Sequence, residues 1–434
     1  MLKVYLKQAW TLLKQNRLFS GIYVVGTGLS IALVMTLFII YYVKFAPIYP
    51  EYNRNRTLVI QCMKRYPVGQ PTNYMSYGGV YYPAVEALIK EVPHIEAIGG
   101  LLQTSQLTIR LAMPDGSTED VAPMWCNAAI WRVFNYRFLS GQSFTEADEE
   151  AKAQVVVLSR ALAMRLFATT DATGRTIRLA GNEYRVTGVV EDVSNATSSS
   201  AAELWLPMGF SPYLNHPEEN DPNNLLGNCH LYILVDEAGH VEEVQNGIRM
   251  AFERRNKGDE KYVYDPEGQP DTYWMSTFRV ANEKPDMKEI FKSFGYILLA
   301  LIFIPALNLG GMISSRMDQR LAEMGVRKAF GGTNRAVLQQ ELIENLLLTC
   351  LGGLAGLLFS YLIVLTASDW IFTLFDTFID NAGQSTQITF EMLFNPWVFL
   401  SAFLLCLVLN LLSAYIPARH ALKHSIIQSL NTKR

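Results

Sequence analysis

The side chains that could support acid–base, nucleophilic or metal chemistry are few in this chain and lie far apart in its sequence. The long central segment contains four histidines, which are His94, His216, His230 and His240. The chain has no H-E-x-x-H and no G-x-S-x-G sequence. Those spacings place two metal ligands on one helix face or expose a nucleophile on a sharp turn. We therefore interpret the histidines as scattered and predict no catalytic residue and no metal site.

Two carboxylates stand out because of where they lie. Glu341 and Glu344 are one helical turn apart at the start of a long apolar run, and carboxylates within a membrane can relay protons. They are near the end of the run, however, and Arg327 and Arg335 are available as ion-pair partners. We interpret the pair as structural or coupling groups.

The cysteines do not form a recognisable framework. Cys62, Cys126 and Cys229 lie in the central segment, and the chain has no C-x-x-C sequence. An odd number of cysteines excludes a fully paired set. One disulfide outside the cytoplasm is compatible with this count, and its existence stays open.

Four apolar runs determine how these residues are placed. Half of the residues are hydrophobic and 18% are charged, and the apolar excess is concentrated in runs of about 20 residues, long enough to cross a bilayer. Lys and Arg predominate before the first run, between the second and third, and after the fourth, whereas the connection between the third and fourth carries only acidic charges. Because short cytoplasmic loops are rich in Lys and Arg, both termini are predicted to be cytoplasmic.

This topology divides the chain into nine parts. The predicted order is a cytoplasmic amphipathic helix (1–20), a first span (21–43), an outer domain (44–293), a second span (294–313), a cytoplasmic loop (314–341), a third span (342–366), an outer loop (367–395), a fourth span (396–415) and a cytoplasmic tail (416–434). The predicted fold class is an α+β membrane protein, with four transmembrane helices and the outer domain between the first two.

The outer domain has the pattern of a mixed α/β fold. Turn signals at 114–117 and 180–182 predict two β-hairpins. Apolar residues recurring on one face predict a helix over 241–255, and an apolar segment predicts a last strand over 273–280. The pattern also predicts a strand over 56–63, and a strand in 155–167 that continues as a helix starting near Ser159. The order of elements predicts two lobes, in which a β-rich lobe of about 100–207 is inserted into a lobe made from 50–99 and 228–285.

The cytoplasmic loop contains the most specific motif. Residues 320–335 read RLAEMGVRKAFGGTNR, which predicts a short basic helix ended by Gly331-Gly332. Such a helix is suited to a groove on a cytoplasmic partner, although charge alone is equally consistent with a loop that has no partner. The order of residues closely resembles the signature of permease subunits of MacB/FtsX-like ABC transporters.

Three further segments carry the resemblance. Residues 304–309 (IPALNL) resemble the family's second span, residues 174–190 resemble its outer-domain hairpin, and residues 416–419 (IPAR) resemble its closing motif. Ser425 stands where that closing motif usually has Pro, and the family's usual Gly is missing soon after Phe167. The match covers both ends and most of the chain.

The resemblance implies a bacterial inner-membrane permease with a periplasmic domain and a coupling helix. The implied ATPase-coupling residues are Glu323, Met324, Gly325, Arg327, Lys328, Ala329, Phe330 and Gly331. In the spans, Asn308 beside Pro305 marks either a kink or an interhelical hydrogen bond. Gly352 and Gly356 allow close helix packing, within one subunit or between two.

The sequence also indicates where ATP is bound. The chain has no G-x-x-x-x-G-K-[ST] loop to hold phosphates and begins about 20 residues before the first span. We therefore expect no cofactor in this chain, with ATP and Mg²⁺ held by a separate cytoplasmic ATPase. The other expected partners are a second permease copy or paralogue, membrane lipids and, as an open option, a periplasmic adaptor or outer-membrane protein, but no nucleic acid.

The predicted function is that of a permease that transmits ATP-driven movement to its periplasmic domain, for export of a drug, a peptide or a lipoprotein. One alternative is an FtsX-like regulator that activates a periplasmic cell-wall hydrolase. A second is a membrane-anchored receptor without an ATPase.

Overall fold

The computed structural model describes residue 11 and residues 17–70, 75–102, 108–211, 224–280, 282–300, 333–373 and 395–421. These residues divide into two compact units. One is helical and takes the described residues up to Tyr42 together with Asp286–Ile371 and those from 395 onward. The other contains Val43–Pro285, which form the outer domain, and the described residues Phe372 and Thr373.

The helices are numbered in chain order. They are α1 (Arg17–Phe45), α2 (Tyr82–Ile89), α3 (Ile130–Val133), α4 (Glu146–Glu150), α5 (Arg160–Phe167), α6 (Val241–Lys257), α7 (Tyr273–Ser276), α8 (Asn334–Thr373) and α9 (Pro396–Ala421). Residues 287–300 are also helical. The α8 backbone is non-helical at Ala367.

Among the described residues, the strands all lie in the outer domain. They are β1 (Thr57–Ile60), β2 (Met63–Pro67), β3 (Ser76–Val80), β4 (Ile95–Leu102), β5 (Ile109–Ala112), β6 (Thr118–Val121), β7 (Met124–Cys126), β8 (Phe138–Gly141), β9 (Val155–Ser159), β10 (Thr176–Leu179), β11 (Asn182–Val190), β12 (Leu204–Pro207), β13 (Leu226–Gly227), β14 (His230–Val235), β15 (Tyr262–Asp265) and β16 (Asp271–Thr272).

One mixed sheet runs through the outer domain. Its order is β16-β1-β14-β4-β7-β12-β9-β11-β10-β5-β6, with β8 beside β11, and a second sheet has the order β13-β3-β2-β15. Strand β4 crosses the predicted boundary near residue 100. It pairs with β7 of the predicted inserted lobe, Leu101 opposite Cys126, and with β14 of the other predicted lobe. Both predicted lobes therefore share one hydrogen-bonded sheet, and the division into two lobes stays a prediction.

Helices on the sheet complete three apolar cores. The α6 residues Val244, Ile248, Ala251 and Phe252 are buried, as the sequence predicted. One core contains residues of α5, a second contains residues of α3, and the third contains residues of both α2 and α6. Both predicted hairpins are confirmed as β5–β6 and β10–β11.

Two predicted strands differ in the structure. The last strand over 273–280 is wrong, because Tyr273–Ser276 forms the helical turn α7, which buries Tyr273 and Ser276 on one side. The strand predicted near 56–63 is divided into β1 and β2. At the break, the Gln269 side chain accepts from the Gln61 N–H at 2.7 Å and donates to the Cys62 carbonyl at 2.6 Å. Gln269 thus makes the hydrogen bonds that a neighbouring strand would otherwise make.

The helical unit contains two segments that are long and apolar enough to cross a membrane. They are Ser20–Phe45 in α1 and Leu342–Ala367 in α8, at the positions of the predicted first and third spans. A shorter apolar stretch, Pro396–Leu412 in α9, coincides with the predicted fourth span. Most of the predicted second span lies outside the described residues.

Candidate functional site

The end of the first apolar helix is held by a buried arginine of the outer domain. Arg54 Nη1 donates to the carbonyl oxygens of Val43 and Ala46, both at 2.7 Å. Carbonyls in the last turn of a helix have no partner within the helix, and a cation is favourable at that end of the helix dipole. Arg54 is therefore a side-chain cap that joins the end of α1, by hydrogen bonds, to the chain that follows it.

Glu51 holds Arg54 in this position. Its Oε2 lies 2.6 Å from Arg54 Nη2 and accepts from Arg54 Nε at 2.8 Å, and both side chains are buried. Burial lowers the pKa of Arg54, but the adjacent carboxylate more than offsets this and leaves the pKa raised. Arg54 therefore stays cationic although its side chain is buried.

Two distant segments satisfy the remaining lone pairs of Glu51. Ser200 Oγ donates to Glu51 Oε1 at 2.6 Å, and the Tyr273 hydroxyl donates to Oε2 at 2.5 Å. Burial, followed by the charge of Glu51, raises the pKa of Tyr273 far above its usual value, so its hydroxyl stays a donor. We refer to Glu51, Arg54, Ser200 and Tyr273 as the junction network.

The junction network continues into the core of the sheet. The Ser200 carbonyl accepts from the Tyr136 hydroxyl at 2.8 Å, and that hydroxyl accepts from Trp205 Nε1 at 3.3 Å. Trp205 is fully buried and belongs to β12, at the centre of the sheet. A chain of polar contacts therefore joins the last turn of α1 to the sheet of the outer domain.

A cavity of about 490 Å³ lies beside the junction network. Arg54, Glu51 and Tyr273 line it, together with Lys44 and Arg279. Arg279 forms a buried ion pair with Asp271, its Nε lying 2.6 Å from Asp271 Oδ2. The junction therefore combines dense charge pairing with space into which side chains can move.

Within the helical unit, α1 and α8 approach closely at glycines. A Cβ at Gly352 would lie 2.9 Å from Thr27 Cβ, and a Cβ at Gly356 would lie 2.7 Å from the Gly28 carbonyl oxygen and 2.9 Å from Ile31 Cβ. The contacted residues advance along both helices in the same direction, so α1 and α8 run parallel.

Several residues that the sequence singled out lie outside the described part of the chain. These are Pro305, Asn308 and the eight coupling residues from Glu323 to Gly331. The junction network, in contrast, was missed. Its local signal was visible, since Glu51 and Arg54 are three residues apart soon after an apolar run, but Ser200 and Tyr273 are distant in sequence.

The cysteines and two of the histidines also have definite positions. Cys62, Cys126 and Cys229 are buried free thiols. His94 and His240 are not scattered: their rings stack with centroids 3.8 Å apart, and both contact Asp236.

Comparisons with known proteins divide the chain in the same way. Residues 20–251 match the model of the MacB-like periplasmic core domain, and residues 295–426 match that of the FtsX-like permease C-terminal region. The macrolide export ATP-binding/permease protein MacB of Wolinella succinogenes is 27% identical over 297 residues, which are 67% of this chain and 40% of that protein. The MacB of Vibrio parahaemolyticus is 25% identical over 354 residues, 79% of this chain and 47% of that protein. The chain thus spans less than half the length of these relatives.

Solved structures give weaker matches. The periplasmic region of MacB from Actinobacillus actinomycetemcomitans is 16% identical, with a TM-score of 0.32, over 49% of this chain and 89% of that one. A domain of a putative permease from Porphyromonas gingivalis is 16% identical, with a TM-score of 0.35, over 55% of this chain and 97% of that one.

Proposed function

Because the chain belongs to the MacB/FtsX-like family of ABC transporter permeases, we propose that it transmits the movement of a separate cytoplasmic ATPase to its own periplasmic domain. In this proposal the chain is non-catalytic and the ATPase binds ATP and Mg²⁺. The permease works as a pair, with a second copy or a paralogue.

The observation that carries this proposal is the Arg54 cap on α1. A helix that ends in a flexible linker transmits little force, because the linker absorbs the displacement. Here the last turn of α1 is bonded to Arg54, and Glu51 connects Arg54 to Ser200 and Tyr273 in the outer domain. In our proposal, a displacement that reaches Val43 and Ala46 at the end of α1 moves the outer domain, and helix shifts of this kind are a common element of switching proteins.

The packing of α1 on α8 supports the cytoplasmic part of the proposed route. Helix α8 starts at Asn334, shortly after the proposed coupling residues 323–331 in the sequence. Its Gly352 and Gly356 lie against Thr27, Gly28 and Ile31 of α1. In our proposal an ATPase that displaces the coupling loop moves α8, α8 moves α1, and α1 moves the outer domain.

The family indicates only the broad class of substrate and of periplasmic partner. The curated relatives are named for macrolide export, and we propose that this chain serves export of a drug, a peptide or a lipoprotein. A periplasmic adaptor or outer-membrane protein would complete such a pathway. The surrounding lipids would contact the apolar faces of α1, α8 and α9.

The test compares the movement of the outer domain with and without ATP. The permease and its cognate ATPase are purified together, and deuterium exchange of residues 44–293 is measured in both states. We expect ATP to change exchange in wild type and the change to be lost in Arg54→Met, which keeps most of the side-chain volume but removes the cap. Arg178→Met is the matched control, because Arg178 forms an exposed ion pair with Glu183.

Two outcomes would contradict the proposal. If Arg54→Met retains the full ATP-dependent change, the cap does not transmit the movement. If a cell-wall hydrolase co-purifies with the chain, the regulator alternative replaces export.

A further inference from the structure

Two loops of the outer domain bring three potential metal ligands together, well outside the junction network. His94 precedes β4, Asp236 follows β14 and His240 precedes α6. His94 Nδ1 lies 2.9 Å from Asp236 Oδ2, and His240 Nδ1 lies 2.8 Å from Asp236 Oδ1. Ligand atoms from the three residues all lie within 4.8 Å of one another.

The backbone holds this arrangement in place. Strands β4 and β14 are antiparallel, and Ile95 pairs with Val235, so His94 and Asp236 are the next residues beyond the paired ends. The Asp236 N–H donates to the His94 carbonyl at 3.0 Å, and the His240 N–H donates to the Glu237 carbonyl at 3.1 Å. The ligands therefore lie at the ends of regular elements, which favours a preorganised site.

From these contacts we infer that His94, Asp236 and His240 form a binding site for a divalent transition-metal ion such as Zn²⁺. Two imidazole nitrogens and a carboxylate suit zinc and its neighbours, whereas Mg²⁺ and Ca²⁺ prefer a set made only of oxygens. Zinc at about 2.0–2.2 Å from each ligand requires the carboxylate to withdraw from the rings and the two stacked rings to turn toward one point. A fourth position is left for water or another ligand.

Two further features fit a metal. The imidazole rings are stacked with their centroids 3.8 Å apart, and Nδ1 of each ring faces the same carboxylate. In addition, Glu243 Oε1 lies 4.0 Å from His94 Nε2. A metal-bound histidine commonly donates its other ring N–H to a carboxylate, and a rotation of the exposed Glu243 side chain would complete that contact.

The bound ion would join the ends of β4 and β14 to the start of α6. All three ligands are partly exposed, with side-chain exposures of 33% for His94, 43% for Asp236 and 34% for His240. The site is therefore open to ions from the periplasm. We expect the ion to stabilise the outer domain, since a ligand that binds only the folded state shifts unfolding to higher temperature.

The test is a Zn²⁺ titration of the full-length chain in detergent, purified with a tag that contains no histidine. We expect one chelator-reversible Zn²⁺ per chain and a higher unfolding temperature with Zn²⁺. His94→Ala and His240→Ala should each weaken binding at least about tenfold. His216→Ala, which removes another histidine of the outer domain, is the matched control and should bind as wild type does.

A second measurement uses only the wild-type chain, in case a variant fails to fold. Diethyl pyrocarbonate modifies accessible histidines, and the modified positions are read by mass spectrometry. Zn²⁺ should protect His94 and His240 but leave the modification of His216 unchanged. Equal modification of all three with and without Zn²⁺, or equal Zn²⁺ affinity in wild type and the two alanine variants, would overturn the inference.

Discussion

Glu51 and Arg54 form an ion pair that is almost completely enclosed, with 1% and 6% of their side chains exposed and 2.6 Å between Oε2 and Nη2. A buried pair is a weak source of stability in itself, because both charges lose their water. Its value here is positional, since the same pair caps α1 and binds Ser200 and Tyr273.

Removal of the Glu51 charge should destabilise the outer domain. Glu51→Ala leaves Arg54 buried without its partner, and breaking a buried pair in this way typically costs about 3–5 kcal/mol. Thermal unfolding of the purified chain measures the effect. Glu183→Ala, which breaks the exposed pair with Arg178, should change stability by less than about 1 kcal/mol. Equal effects of the two substitutions would show that the junction network has no special structural role.

Larger residues at the α1–α8 contact should force the helices apart. Gly352→Leu places its Cβ 2.9 Å from Thr27 Cβ, whereas Gly26→Leu meets no atom within 4 Å among the described residues. Both changes replace a helical glycine by the same residue, so they differ mainly in packing. We expect Gly352→Leu, but not Gly26→Leu, to lower the unfolding temperature. We also expect Gly352→Leu to abolish the stimulation of the partner ATPase by the permease. Wild-type behaviour of Gly352→Leu would contradict the close contact.

Glu149 should make the stability of the outer domain depend on pH. Burial raises the pKa of Glu149 to about 7, although its carboxylate accepts from the Ala128 N–H at 3.0 Å. Between pH 4.5, the ordinary pKa of a Glu, and about pH 7, the folded state keeps a proton on Glu149 that the unfolded state has released. The free energy of unfolding therefore falls as the pH rises through this window.

Substitution isolates this effect. Glu149→Gln should flatten the decrease in unfolding temperature between pH 5 and pH 7.5, because the neutral amide does not titrate. Glu150→Gln, at the exposed neighbouring position, should leave the decrease unchanged. If the two variants have the same pH profile, Glu149 does not titrate as stated.

The proposed coupling residues should be required for ATPase binding. Met324→Asp combined with Phe330→Asp replaces two apolar anchors by charges, and loss of a buried anchor typically costs about 2 kcal/mol or more at an interface. We expect the double variant to lose ATPase association while its outer domain keeps the wild-type unfolding temperature. Arg327→Ala should weaken association moderately and in a salt-dependent way. Wild-type affinity of the double variant would assign coupling to another segment.

The success of sequence-based prediction differed between local and distant features. The hairpin around Asp115-Gly116, the strand-to-helix transition capped by Ser159, and the buried face of α6 were all predicted and are present. The strand predicted from Tyr273 onward is instead a helical turn, because the tertiary contact of Tyr273 with Glu51 and the burial of Ser276 outweigh the local pattern.

The sequence by itself determined the family, the apolar helices at Ser20–Phe45 and Leu342–Ala367, and the mixed α/β character of the outer domain. These properties depend on residue order, hydrophobic length and turn chemistry within short segments, so they can be read along the chain. Only the tertiary structure decided that one sheet unites both predicted lobes, that Glu51 meets Ser200, and that His94 meets Asp236. Each of these contacts depends on strand register and helix packing between segments far apart in sequence. The free energy of folding that brings such segments together comes from burial of the whole core, and not from the few residues that are in contact.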